Sequence, residues 1–250
     1  MKAVFALSLA IACGLPAHAE TAESIIDRAR DTQRVNNGIQ QIRMVLVSRN
    51  GGTRERTFEM RVRKDGDVVR SYVRFSQPSD VAGTQLVMVD HPDTVDEQVL
   101  YLPALKRTNR IAGRARKGAF MGSDFAYEDL EVSDSASATH TLVSENDRVW
   151  VIDSIPGADS SYGRIRSHVS KADMMIRLAE FFDTKGEATK TLEVLETASD
   201  NGVTIPTKSI MTNLRRGTKT EMNVSDYRLN VPAEEIPDET FTVGFLERNG

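Results

Sequence analysis

Cysteine is almost absent: the 250 residues hold one, Cys13, inside an apolar stretch at the start of the chain. A lone cysteine cannot form an intrachain disulfide or a multi-thiolate metal site. Histidine is scarce as well. After His18 come only His91, His140 and His168, never at the i, i+2 or i, i+4 spacing that would seed a zinc site. The chain also lacks a Gly-x-Ser-x-Gly elbow, a phosphate-cradling glycine loop and a dinucleotide fingerprint. Gly122-Ser123-Asp124 has no strand-to-helix glycine frame around it, so Ser123 reads as the cap of a turn or short helix. No acid, base and nucleophile can be assembled from these residues, and the sequence reads as non-enzymatic, without metal or cofactor. A basic excess is missing too. Lys and Arg number 32 against 36 Asp and Glu, a formal charge of −4, which offers nothing to release counterions from a nucleic acid.

Long apolar runs are equally few. The one in residues 3–15 follows Lys2 and stops at Pro16, and Ala17-His18-Ala19 then sets small residues three and one positions before a cut. This predicts a signal peptide over residues 1–19, export to the periplasm and a mature chain beginning at Glu20. The run is shorter than the ~20 residues that a membrane-crossing helix needs. The competing processing point is lipidation at Cys13, but Ala10-Ile11-Ala12 precedes it where a lipoprotein signal carries a larger aliphatic residue first. Cleavage after Ala19 leaves 231 of the 250 residues and, with Lys2 lost, takes the charge from −4 to −5. That length suits one substantial core, and residues 20–250 read as a single domain, with no linker rich in Pro, Gly or Ser and no internal repeat.

What the chain does contain is period-2 alternation. Phe58, Met60 and Val62 fall on one face of a run whose other face is Thr57, Glu59, Arg61 and Arg63. After the turn at Lys64-Asp65-Gly66-Asp67, Val69, Val73 and Phe75 oppose Arg70, Tyr72 and Arg74, which predicts a hairpin. Asn50-Gly51-Gly52 joins residues 42–47 to it as a meander. Further strands are expected at 85–89, 98–102, 140–143, 148–153, 164–169, 174–182, 191–195, 203–212 and 218–229, and a sheet of this size has to curl or close. Helix is confined to residues 22–32, with Ile25, Ile26 and Ala29 on one stripe and Thr21 or Ser24 as cap.

Residues 100–130 depart from this pattern. A strand ends at Pro103, a stretch with Lys106, Arg107, Arg110, Arg114, Arg116 and Lys117 follows, and then Phe120, Met121, Phe125 and Tyr127 alternate with Asp124, Glu128 and Asp129. In one reading the basic residues form a solvated loop that neutralises the acidic cluster beside it, with the aromatics in the core. In the other they form a flap beside an open apolar cavity, able to meet an anionic headgroup or an acidic partner.

The run Leu100-Tyr101-Leu102-Pro103-Ala104, the arginines after it, Phe120-Met121-Gly122-Ser123-Asp124-Phe125 and Tyr127-Glu128-Asp129 resemble the signature of the outer-membrane lipoprotein-sorting family, the LolA-like periplasmic proteins. Gly202-Val203, Ile205-Pro206 and Met211 resemble the group's late strand, so the likeness runs from about Gly38 to Phe245. It implies a half-open, curled antiparallel β-barrel, here of about eleven strands, with a few short helices over its concave apolar face; this fold is shared with the carrier LolA, the receptor LolB and the stress regulator RseB. It also implies a monomeric carrier of lipids or lipoprotein acyl chains. The chain is longer than the family's carriers, and its extended central insertion resembles a branch associated with RND-type exporters of the inner membrane. None of the carriers' functional residues can be matched position by position.

On the residues alone, Phe58, Met60, Val62, Val73, Phe75, Leu86, Met88, Leu100 and Leu102 are the inward-facing candidates to line such a cavity, and nine methionines suit a lining that adapts to flexible tails. Alternation defines a face without saying whether protein or ligand fills it. Three functions follow: a lipid or lipoprotein carrier serving an outer-membrane acceptor, an accessory module docking on an inner-membrane RND-type transporter or sensor, and, most remotely, a lipid-acting enzyme.

Overall fold

The computed structural model describes residues 20–91, 94, 96–131, 138–200 and 202–250; the leader with Cys13 and most of the small-residue loop before His140 lie outside the described residues. Among the described residues, one helix precedes the sheet. Thr21 caps α1 (Ala22–Gln33), its hydroxyl accepting from Ser24 N at 3.2 Å, and Ile25, Ile26 and Ala29 form the buried stripe.

Thirteen strands follow among the described residues: β1 (Asn37–Val47), β2 (Thr53–Asp65), β3 (Val68–Gln77), β4 (Gln85–Asp90), β5 (Glu97–Leu102), β6 (Arg107–Arg110), β7 (Thr139–Glu145), β8 (Val149–Ile155), β9 (Tyr162–Ser170), β10 (Ile176–Asp183), β11 (Ala188–Asp200), β12 (Val203–Asn213) and β13 (Thr218–Leu229). They form a single antiparallel sheet in the order β6-β5-β4-β3-β2-β1-β13-β12-β11-β10-β9-β8-β7, curled but not closed. Only β1 and β13 pair out of sequence, which brings the two halves of the chain together. Every other neighbour is a hairpin or meander partner, so chain order alone dictates most of the topology.

The alternation works as expected in the β2–β3 hairpin. Phe58 pairs with Phe75, Met60 with Val73 and Val62 with Ser71, around a turn in which Gly66 has φ of +60°. The register carries the same face onward through Leu86 and Leu100, and in the other direction through Ile42, Val224 and Met211. This face is concave.

Two features differ from the sequence reading. Arg107–Arg110, expected as loop, is a strand: it pairs with β5 from Leu102↔Arg107 to Val99↔Arg110. Arg-Thr-Asn-Arg has no apolar alternation, and only the free edge of β5 makes it a strand, so periodicity could not reveal it. The sequence reading also places no strand after residue 229 and confines helix to residues 22–32. In fact the chain after β13 wraps the convex face of β3–β5, where Val231, Ile236, Phe241 and Leu246 of α2 (Val243–Arg248) bury Tyr72, Val87 and Tyr101. Gln85 ties this cover down, accepting from Tyr72 OH at 2.8 Å and donating to the Leu246 carbonyl at 3.0 Å. The side of β3 expected to be wet is therefore partly a second core.

Candidate functional site

The concave face is the candidate site. Its floor comes from strand positions two apart, and two elements cover it. α1 lies over the β7–β9 side, with Ile25, Ile26 and Ala29 against Ile152 and Val169. Residues 111–131, between β6 and β7, cover the β1–β5 side.

This second cover is a plug. Phe120 is 1% exposed and sits among Phe58, Phe75 and Tyr127, with ring centroids 6.5, 5.8 and 5.6 Å away. Such aromatic pairs add about 0.5–1.5 kcal/mol each beyond the area they bury. Phe58, Val73, Phe75, Leu86, Met88 and Leu100 are all buried in the cluster that contains Phe120, Phe125 and Tyr127, and Leu102 is partly buried against it. On this side, protein fills the hollow.

The anchors of the plug come from distant strands and the turns beside them. Asp124, buried, accepts from Arg216 Nη2 at 2.7 Å and Thr220 Oγ1 at 2.9 Å, and Thr220 Oγ1 in turn accepts from Asp124 N at 2.9 Å. Glu128 accepts from Ser161 N at 3.0 Å. Asp129 accepts from Lys190 Nζ, Tyr162 OH and Ala126 N, each at 2.6 Å. Burial, and then the Asp129 charge, push the Tyr162 phenol well above its ordinary pKa, so it remains a donor. From β2, Arg56 reaches the Met121 carbonyl, and burial lowers its pKa. Met121 itself has φ of +47°, and Gly122 beside it +72°.

The basic stretch therefore does not neutralise the acidic cluster. Arg110 pairs with Glu97 at 2.9 Å, Arg116 with Glu131, and Arg107 and Arg114 are exposed. Tyr101 faces the opposite side of the sheet from Leu100, under the C-terminal cover, and Pro103 opens a short 3-10 turn. Sequence reasoning missed Arg30, Arg56, Tyr162, Lys190, Arg216 and Thr220. Their partners are remote in sequence, and no local spacing signals them.

Open space remains at the edge of α1. A cavity of 370 Å³ is lined by Met60, Val62, Val69, Leu130, Ile176 and Ile205, with Arg30 and Arg34 in its wall. A second, of 230 Å³, runs under α1 along Ile26, Ile165 and Phe181, with Glu128, Asp129 and Glu131 also in its wall. Arg30 and Ile176 line both. Of the nine expected lining residues, Met60 and Val62 face this open space. Among the described residues, no group of three or more His, Cys, Asp or Glu could hold a metal ion.

Comparison with known proteins gives the fold and the family. A family model whose description reads only as an uncharacterized protein matches residues 67–248. An outer membrane lipoprotein-sorting protein domain from Vibrio parahaemolyticus is 30% identical, with a TM-score of 0.82 over 91% of this chain and 98% of its own. A DUF1329 family protein from Desulfovibrio piger is 23% identical, with a TM-score of 0.83 over 91% of this chain and 100% of its own. A LolA superfamily protein from Nitrosomonas europaea is 17% identical, with a TM-score of 0.72 over 91% of this chain and 100% of its own. No relative matches among curated proteins.

Proposed function

Because the chain belongs to the LolA-like family of outer-membrane lipoprotein-sorting proteins, we propose that it is a periplasmic binding protein that holds the acyl chain of a lipid or lipoprotein bound for the outer membrane. The family and fold are those of carriers rather than enzymes.

The observation that carries this reading is the 370 Å³ cavity, apolar along Met60, Val62, Val69, Leu130, Ile176 and Ile205 and open at one end of the hollow. Its volume is at the low end of the ~300–1,000 Å³ range of ligand pockets, enough for part of an acyl chain. Alkyl carbon entering it leaves water, which contributes about 0.8 kcal/mol per methylene. The plug occupies the continuation of the same hollow. Withdrawing Phe120 from between Phe58 and Phe75 would extend the cavity along Leu86 and Leu100.

Two experiments test the reading. Mass spectrometry of organic extracts of protein purified from the periplasm should find co-purified lipid. Met60→Asp should abolish uptake of a fluorescent fatty acid while the protein stays folded, because Met60 is only half-buried and a charge there must be desolvated when the chain enters. Lipid-free protein together with unchanged uptake by the variant would refute it. Phe75 is not the residue to use: it is 1% exposed within the aromatic stack, so a charge there would unfold the protein rather than report on binding.

A further inference from the structure

We infer that Arg30 and Arg34 form the headgroup end of the apolar cavity and select an amphiphile with one alkyl chain and an anionic headgroup. This rests on the binding reading above and specifies its ligand class.

Among the described residues, the wall of this cavity holds two ionisable side chains, Arg30 and Arg34, and both are cations. They sit one helical turn apart at the end of α1, Arg30 in its last turn and Arg34 at the C-cap. Met60, Val62 and Val69 of β2 and β3 lie in the same wall, so an alkyl chain laid along them leaves its polar end beside the guanidiniums.

Arg30 is poorly compensated by the protein. Its side chain is 28% exposed, its nearest carboxylate oxygen, on Asp27, is 3.9 Å away, and Asp27 is 71% exposed. No hydrogen bond to its guanidinium is found among the described residues. Burial lowers its pKa, the Asp27 charge opposes this, and the neighbouring Arg34 charge lowers it again, although arginine remains protonated at neutral pH. Arg34 is held at 3.0 Å by Asp31, itself 64% exposed. Exposed carboxylates of this kind bind weakly and can yield to a ligand carboxylate or phosphate that meets the guanidinium fork in two hydrogen bonds. The partial negative charge of a helix C-terminus, about half an elementary charge, is outweighed by two full cations.

A purely structural role is the competing explanation, since cations near a helix C-terminus favour the helix whatever the ligand. The two differ in headgroup discrimination. Dodecanoate and dodecanol have the same chain length and differ in charge, so their affinities by isothermal titration isolate the headgroup. The folded, delipidated protein should bind dodecanoate about tenfold or more tighter than dodecanol, the ratio expected of charge-assisted hydrogen bonds. Arg30→Gln with Arg34→Gln should bring dodecanoate down to the affinity of dodecanol and leave dodecanol unchanged. Arg30→Gln alone should lose most of the preference, which keeps the test usable if the double variant is unstable.

Equal binding of both ligands by the wild type, or a preference that survives both substitutions, would overturn the headgroup assignment and leave the acyl-binding reading standing. Binding of neither would overturn that reading and this inference with it. Acetate or inorganic phosphate at the dodecanoate concentration should not displace it. Displacement by either would make this a free-anion site and overturn the inference as well.

Discussion

Replacing Asp129 by Asn should be among the more damaging isosteric changes in this protein. The Asp129 side chain is 3% exposed and its partner Lys190 10%, with Nζ and Oδ2 2.6 Å apart. The Lys190 ammonium lies 5.0 Å from the Tyr162 ring centroid and 5.7 Å from that of Phe181, so the surface around the pair is aromatic. Removing one member strands the other charge in a site that water barely reaches, which costs about 3–5 kcal/mol. Asn cannot accept from all three donors that meet the carboxylate, Lys190 Nζ, Tyr162 OH and Ala126 N, without turning its own N–H groups toward one of them. Lys190→Met should cost less, because Asp129 keeps two donors. The double variant should be more stable than the sum of the single effects by about 1–3 kcal/mol, since losing both charges leaves neither stranded. Urea unfolding followed by Trp150 fluorescence measures all three. An Asp129→Asn cost below about 1 kcal/mol, or strict additivity in the cycle, would refute a buried pair that anchors the plug. The anchor also has a kinetic signature. With the plug loosened, folded Asp129→Asn should take up dodecanoate faster than the wild type.

Acid should weaken the fold through His140, which is buried beside Ser154 and whose imidazole is held below its ordinary pKa of 6.5, first by burial and then by the Arg30 charge. Between the lowered folded value and 6.5 the unfolded chain binds more protons, so stability is fully present above 6.5 and is lost as pH falls through the folded value; His140→Gln should flatten that part of a melting-temperature profile, and an unchanged slope would exclude the residue as its source. Leu246→Ala, at a side chain 0% exposed under the convex face, should cost about 2–5 kcal/mol in urea unfolding yet leave the dodecanoate affinity of the folded protein unchanged; a parallel loss of affinity would mean that the two faces of the sheet are coupled.

Much of the architecture was legible because strands expose their faces in sequence. The positions Phe58, Met60, Val62 and Val73, Phe75 announce both the hairpin and its apolar side, and Thr21 with the Ile25, Ile26, Ala29 stripe announces α1. β6 was not legible. Its four residues become a strand only because Val99 to Leu102 offer an edge to pair with. The C-terminal cover was not legible either: Val231, Ile236, Phe241 and Leu246 recur every five residues among Pro232 and Pro237, a spacing that fits neither the strand nor the helix period. At the candidate site the nine apolar positions do lie on the concave side, but sequence could not tell lining from core, because that depends on whether Phe120 comes to rest against Phe58 and Phe75, more than forty residues away.

Charge followed the same division. Six basic residues in residues 106–117 beside three acids in 124–129 suggested a local balance, and the fold instead supplies Arg216, Lys190, Tyr162 and Ser161 from strands and turns that close around the plug. Local sequence determined what each segment could be, through an alternation, a cap or a turn glycine whose physics acts within a few residues. Tertiary structure alone decided what each segment meets: the plug in the hollow, a cation beside the buried carboxylates of Asp124 and Asp129, and Arg30 and Arg34 beside an apolar wall that the plug leaves uncovered. Those outcomes depend on the pairing of β1 with β13, which joins residues more than 170 positions apart and curls the sheet into a container.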